Sequence, residues 1–380
     1  MKKRSKYKLI IFIIAIIVTV IYFIKENSTE DAVVITEDLK PVSQNVNGIN
    51  MMIDPRMELL SVVQATGTYD EQYDLITNVD FDYKKDIMKY FSDFSNHDAV
   101  KVFNNMSRSG FSFDAPPTAM LYLSNPLNLK TNQDFSDYLK NRAGEEELNK
   151  FTLELRNFAM DTRFHEFFNK HRKFYDSVIE ENAKILGNTN YIDNLEQYYG
   201  MKQNSYNIIL SPMFHNGGFG PRVENENGKY DVYSIQGTSS VKNNIPIFGN
   251  ESGFRYVALH EFSHSFINPL TEENISEVNK YSRLFNPISE KMSKQAYTSW
   301  DICVNEHIVR AVVSRITFIH QGKEAYDKLI TYEKEIGFLY IDALTKQLEE
   351  FENNRDKYKT FEDFYPELLK GFKDLSSATP

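Results

Sequence analysis

Apolar positions along the chain fall into three textures. Over residues 9–24 they are continuous, interrupted only by Thr19 and Tyr22, and Lys8 and Lys25 bracket the run. A spanning helix usually needs roughly 17–25 apolar residues, so this run sits at the short limit, and the flanking lysines can extend its reach. Residues 26–45 are polar and read as a stalk. From Ile49 onward apolar residues recur at three- and four-residue spacing. That spacing predicts helices over 57–65, with Pro55 in the first turn, and over 83–94, 98–106, 133–141, 146–161 and 164–186. Pro116-Pro117 and Ser124-Asn125-Pro126 interrupt the series.

The third texture is extended. Residues 205–211 and 229–235 are strand candidates, separated by the glycine-rich bend His215-Asn216-Gly217-Gly218-Phe219-Gly220 and the turn Asn225-Glu226-Asn227-Gly228. Helices return after residue 251. The pattern predicts an α+β body, mainly helical, with a small β-sheet just ahead of residue 251. It divides the body into a helical part, 46–200, and a second part, 201–380, and leaves open whether 46–380 is one domain.

Charge sharpens the picture of the N-terminus. Residues 1–25 carry six lysines and arginines and no acid, while the remaining 355 residues carry 37 basic and 53 acidic groups, a net −16. The basic cluster ahead of the apolar run keeps the N-terminus in the cytoplasm. No small-residue cleavage site follows the run, which favours an uncleaved signal anchor over secretion after cleavage. Either way the body is extracytoplasmic, on a single-pass cell-membrane anchor in the first case. An acidic body without a basic stripe excludes nucleic acid as main partner and favours neutral or basic substrates over polyanions. The one cysteine, Cys303, rules out internal disulfides and thiolate-rich zinc sites.

Candidate chemistry lies in Tyr256-Val257-Ala258-Leu259-His260-Glu261-Phe262-Ser263-His264-Ser265-Phe266-Ile267-Asn268-Pro269. His260-Glu261-x-x-His264 is an HExxH pattern. On a helix, residues i and i+4 share one face, so both imidazoles can reach one Zn²⁺. Glu261 is then placed to accept a proton from a water at the open position. Ser252 is the expected N-cap and Pro269 the expected stop. The reading without chemistry, two exposed histidines, fits poorly with the apolar residues around them. His165-Glu166-Phe167-Phe168-Asn169 resembles the pattern but lacks the second histidine, which leaves His165 and His171 as surface or structural groups.

Zinc needs a third protein ligand. Glu306 is preferred, because it sits on an apolar helix pattern among Ile302, Cys303, Val309 and Val313, where a carboxylate needs a partner. An ion pair with Arg310 is the plain alternative, and the two can coexist. His307 and then Asp301 follow as candidates. Glu272, Glu273 and Glu277 lie in a polar stretch, and Glu290 and His320 complete the downstream candidates. For an oxyanion donor, Tyr297, Arg310, His307 and Tyr281 lie in the right region, with Tyr297 and Arg310 preferred. Gly217, Gly218 and Gly220 either admit a substrate backbone or only form a turn.

With these residues in view, His260-Glu261-Phe262-Ser263-His264-Ser265-Phe266-Ile267-Asn268-Pro269 resembles a largely uncharacterised bacterial family classed as zinc metallopeptidases, with an HEFSH-x-F-x-NP signature. Asp54-Pro55-Arg56-Met57-Glu58-Leu59-Leu60-Ser61 and Asn305-Glu306-His307-Ile308-Val309-Arg310-Ala311 carry the same resemblance. An Asn-Glu pair on a later helix is also similar to the gluzincin group. The resemblance implies a zincin-like catalytic part, His260, His264 and Glu306 as ligands, Glu261 as base, and a small sheet whose edge binds extended peptide. The resulting expectation is a membrane-anchored zinc metallopeptidase acting on peptide or protein. Its rivals are an anchored binding or sensor module with a structural or absent metal, and a zinc hydrolase of a cell-wall amide.

Overall fold

A computed structural model describes residues 39–187 and 190–378. The expected anchor, and the expected stalk up to residue 38, lie outside the described residues. Among those described, no helix is long and apolar enough to cross a membrane.

The chain enters through a hairpin, β1 (Val42–Val46) and β2 (Ile49–Ile53), antiparallel around Asn47-Gly48. Both turn residues have positive φ, 52° and 85°, as a two-residue hairpin loop requires. The stalk reading of residues 26–45 therefore runs too far, since β1 begins at Val42. Polar Ser43, Gln44 and Asn45 hid an edge strand that faces water.

α1 (Pro55–Thr66) follows, capped by Asp54, whose carboxylate accepts the Arg56 N–H at 2.8 Å. The helical part continues through α2 (Asp82–Phe91), α3 (Asp98–Arg108), α4 (Glu145–Asp161), α5 (Phe164–Lys170), α6 (Arg172–Leu186) and α7 (Tyr191–Tyr199). Two expectations are corrected. The helix foreseen over 133–141 is Asp137–Ala143, displaced by the Ser136 cap. The single helix foreseen over 164–186 breaks at His171. There the ring Nδ1 takes the Phe167 carbonyl at 2.8 Å, and the backbone N–H turns to Phe168 instead.

The main sheet runs β1-β2-β3-β6-β4, with β3 at Ser205–Ser211, β4 at Gly218–Phe219, β5 at Arg222–Glu224 and β6 at Tyr230–Gly237, and β5 pairing β6 beside β4. β2, β3 and β6 are mutually parallel, with Ile49 opposite Tyr206 and Tyr206 opposite Val232. The sheet thus unites strands from before and after residue 200. α1 lies on one face, where Ser61 Oγ meets Ser211 Oγ at 3.2 Å. On the other face Tyr206 packs edge-on to Phe262 with ring centres 5.3 Å apart, since odd-numbered separations point to opposite faces.

Phe262 belongs to α8 (Glu251–Glu273). α9 (Trp300–Gln321) packs along α8, and α10 (Lys323–Ile336) and α11 (Ile341–Asn353) flank α9. α12 (Phe361–Ala378) closes the fold. The body is α+β and mainly helical, as the pattern predicts.

Candidate metal centre

α8 is capped by Asn250, whose Oδ1 accepts the Gly253 N–H at 2.8 Å. Ser252, the expected cap, instead donates its hydroxyl to Asn250 at 2.9 Å. Nor does Pro269 stop the helix, which continues to Glu273. A proline inside a helix leaves the carbonyl four residues back without its N–H partner. That carbonyl is Ser265's, and the Gln203 amide reaches it at 3.4 Å and the Ser265 hydroxyl at 3.2 Å.

His260 and His264 share one face of α8 with their Nε2 atoms 3.2 Å apart. Glu306, on α9, brings Oε2 to 3.4 Å from His260 Nε2 and Oε1 to 3.3 Å from His264 Nε2. In a tetrahedral zinc site, ligands about 2.0–2.1 Å from the ion stand roughly 3.3–3.4 Å from one another. The separations lie close to that range, with each Glu306 oxygen facing one imidazole. The His264 ring is oriented by its other nitrogen, Nδ1, 3.1 Å from Asn268 Oδ1. These residues therefore fit a zinc ion, with Glu261 within 4.8 Å of both histidine ligand atoms.

Electrostatics follows from burial. Burial opposes charge on both histidines. It pushes His260 down to about 4, while Glu306 outweighs it at His264 and raises that ring to about 9. Against its own burial, Glu306 is held well below the usual carboxylate range by the two imidazoles. Glu261 is pushed up to about 7, chiefly by burial, with Asp114 among the charges that act on it. Asp114 comes from the helical part of the chain. Its carboxylate accepts the Tyr138 hydroxyl at 2.6 Å, and Arg142 stands beside it at 3.5 Å.

A Cβ at Gly218 would stand 2.9 Å from Glu261 Oε1, and one at Gly220 would stand 2.6 Å from the Glu261 carbonyl oxygen. These glycines let edge strand β4 and its exit press directly on the turn of α8 that carries Glu261. The backbone that Gly218 and Gly220 admit here is the chain's own α8.

The match to the family described as a domain of unknown function, DUF4932, covers residues 49–371. The chain belongs to that family. The DUF4932 span begins at the first residue of β2 and takes in both α8 and α9, so it includes the whole site. No curated protein and no solved structure matches the chain.

The remaining sequence candidates separate clearly in this DUF4932 fold. Tyr297 lies within electrostatic reach of Glu306 and Glu261, and its hydroxyl accepts Arg310 Nη2 at 3.3 Å. Arg310 is buried and faces carboxylates, with Nη2 3.3 Å from Glu306 Oε2 and Nη1 3.0 Å from Glu333 Oε2. Its terminal nitrogens are taken up by Glu306, Glu333, Tyr256 and Tyr297. His307 points into the core, bonded to the Cys303 carbonyl at 2.7 Å and packed on Phe338 and Tyr340. Tyr281 bonds Glu277 at 2.9 Å, Glu272, Glu273, Glu290 and His320 are exposed, and Asp301 is in the first turn of α9. His171 is a structural residue, bonded to Asp86 at 3.1 Å. Sequence reasoning missed Glu333, fully buried on α10. Its neighbours Tyr332, Lys334 and Glu335 look solvated, and the available signal was that buried Arg310 needed more than one carboxylate.

Proposed function

We propose that this chain is a zinc-dependent metallopeptidase, anchored to the membrane through residues 1–25 with its body outside the cytoplasm. The observation that carries the reading is the convergence of His260 Nε2, His264 Nε2 and the Glu306 carboxylate, with the two imidazole nitrogens 3.2 Å apart and one Glu306 oxygen 3.4 and the other 3.3 Å from them. A zinc ion held there polarises a carbonyl beside it and makes a neighbouring water more acidic. Glu261 accepts the proton of that water and passes it to the leaving amine. Tyr297, accepting from Arg310, keeps its own hydrogen for the carbonyl oxygen as that oxygen gains charge. Peptide as substrate is supported by β4, an edge strand beside Glu261 where an extended backbone can pair.

The test is elemental analysis of the full chain purified without chelator, followed by profiling on peptide libraries and cell-wall fragments. Expected are close to one zinc per chain, peptide cleavage, and a Glu261→Gln variant that keeps the metal and loses cleavage. Zinc below about 0.2 per chain would favour the binding or sensor module. Cleavage confined to wall fragments would overturn the peptide reading and leave the zinc hydrolase standing.

A further inference from the structure

Beside Glu306, charges alternate across two helices, and Arg310 meets the same Oε2 that faces His260. Glu306 and Arg310 are one turn apart on α9, and Glu333 reaches in from α10. Arg310 Nη1 donates to both Glu333 oxygens, at 3.0 and 3.3 Å, and to Tyr256 Oη at 2.8 Å. The Tyr256 hydroxyl in turn donates to Glu333 Oε1 at 2.5 Å, and its ring stacks on His260 at 5.7 Å. α10 ends at Gly337, where the chain folds back so that the Phe338 N–H meets the Glu333 carbonyl at 2.9 Å. This lays the Phe338 ring over the guanidinium at 4.1 Å. Glu333 has no exposed surface and Arg310 has 8 %. Burying a carboxylate this completely is costly unless its charge is used.

A cation 3.3 Å from a metal ligand is a liability, because in a poorly screened interior it opposes a divalent ion held by that ligand. Glu333 cancels that cation. Glu306 then keeps the benefit of Arg310's hydrogen bond while its full negative charge remains for the metal. We propose that Glu333 is a positioning and counter-charge residue for the metal centre, required so that Arg310 can hold Glu306 without repelling the ion. This rests on the zinc reading above. Glu333 is not a ligand, and its part is to set how the ligand's charge is shared.

The experiment measures Zn²⁺ affinity of the full chain by competition with a chromogenic chelator, and the visible absorption of the Co²⁺-loaded form. Glu333→Gln should weaken Zn²⁺ binding about 10–100-fold, the usual range for an outer-shell partner, with the tetrahedral Co²⁺ band shape kept because the ligands are unchanged. The double variant Arg310→Met with Glu333→Gln removes the cation and its counter-charge together, and should bind Zn²⁺ at least about threefold more tightly than Glu333→Gln and within about tenfold of wild type. A purely structural role predicts the opposite, a double variant no better than the single. Wild-type affinity in Glu333→Gln, or no recovery in the double variant, overturns the proposal while leaving the zinc site intact. If Glu333→Gln does not fold, the double variant decides alone: binding within tenfold supports the counter-charge, and loss of binding overturns it. A wild-type chain that takes up neither Zn²⁺ nor Co²⁺ instead removes the zinc reading on which the proposal stands.

Discussion

Glu306→Ala should cut zinc affinity sharply, while Glu277→Ala and Glu290→Ala should leave it unchanged, as read by chelator competition. The contrast has a structural basis, because Glu277 and Glu290 are committed to Lys280 and Lys294 near the surface. Equal zinc retention in all three variants would remove Glu306 from the ligand set. Gly220→Ala places a methyl against backbone, 2.6 Å from the Glu261 carbonyl oxygen, and the backbone must shift. We expect a stability loss of about 1–3 kcal/mol in urea titration together with reduced peptide cleavage. Unchanged stability would mean that β4 is free to retreat. At this scale the shared helix face of His260 and His264 was legible from their spacing, and the burial of Glu306 from its apolar surroundings, with an Arg310 ion pair left open beside it. The Glu306–Arg310 pair was legible from its one-turn spacing, but Glu333 was not, since which further carboxylate a buried guanidinium meets depends on how α10 crosses α9.

Helix termini show how local rules compete. Asn250 and Ser252 are both good caps in sequence, and the structure gives the task to Asn250. Asn250→Ala should therefore cost about 1 kcal/mol of unfolding free energy, and Ser252→Ala less than half of that, by denaturant unfolding. The reverse order would restore Ser252 as the cap. Pro269 was read as a stop because sequence does not reveal a distant amide. Gln203, ahead of β3, supplies one to Ser265. The break at His171 was hidden likewise, because the apolar spacing continues smoothly across it while the imidazole competes for a helical carbonyl. Strand β3 matched its expected limits because its apolar run is short, continuous and bounded by polar residues.

Across the whole molecule, the helical half and the site half meet at the sheet, and one buried acid reports on that packing. Glu58 of α1 is completely buried, and the Tyr83 hydroxyl donates to its Oε2. Desolvation pushes it up to about 8. The folded state therefore holds this proton more tightly than the unfolded chain does. Its contribution to stability is fully present below about pH 4.5 and is lost as pH rises through about 8. The difference in unfolding free energy between wild type and Glu58→Gln should slope downward across that window, against the variant, and a flat difference would show that Glu58 is ionised when folded. The class of fold was readable from periodicity, but the union of β2 with β3 was not, because nothing local marks two strands as partners when residues 54–204 lie between them. That pairing also governs how the chain can assemble. Closing so long a loop is entropically demanding and slow, so the hairpin at the start must wait with an open edge for a partner made much later. A chain ending at Gly200 and a chain starting at Met201 should each misfold or aggregate alone, yet recover native circular dichroism when refolded together, as two pieces of a single folding unit.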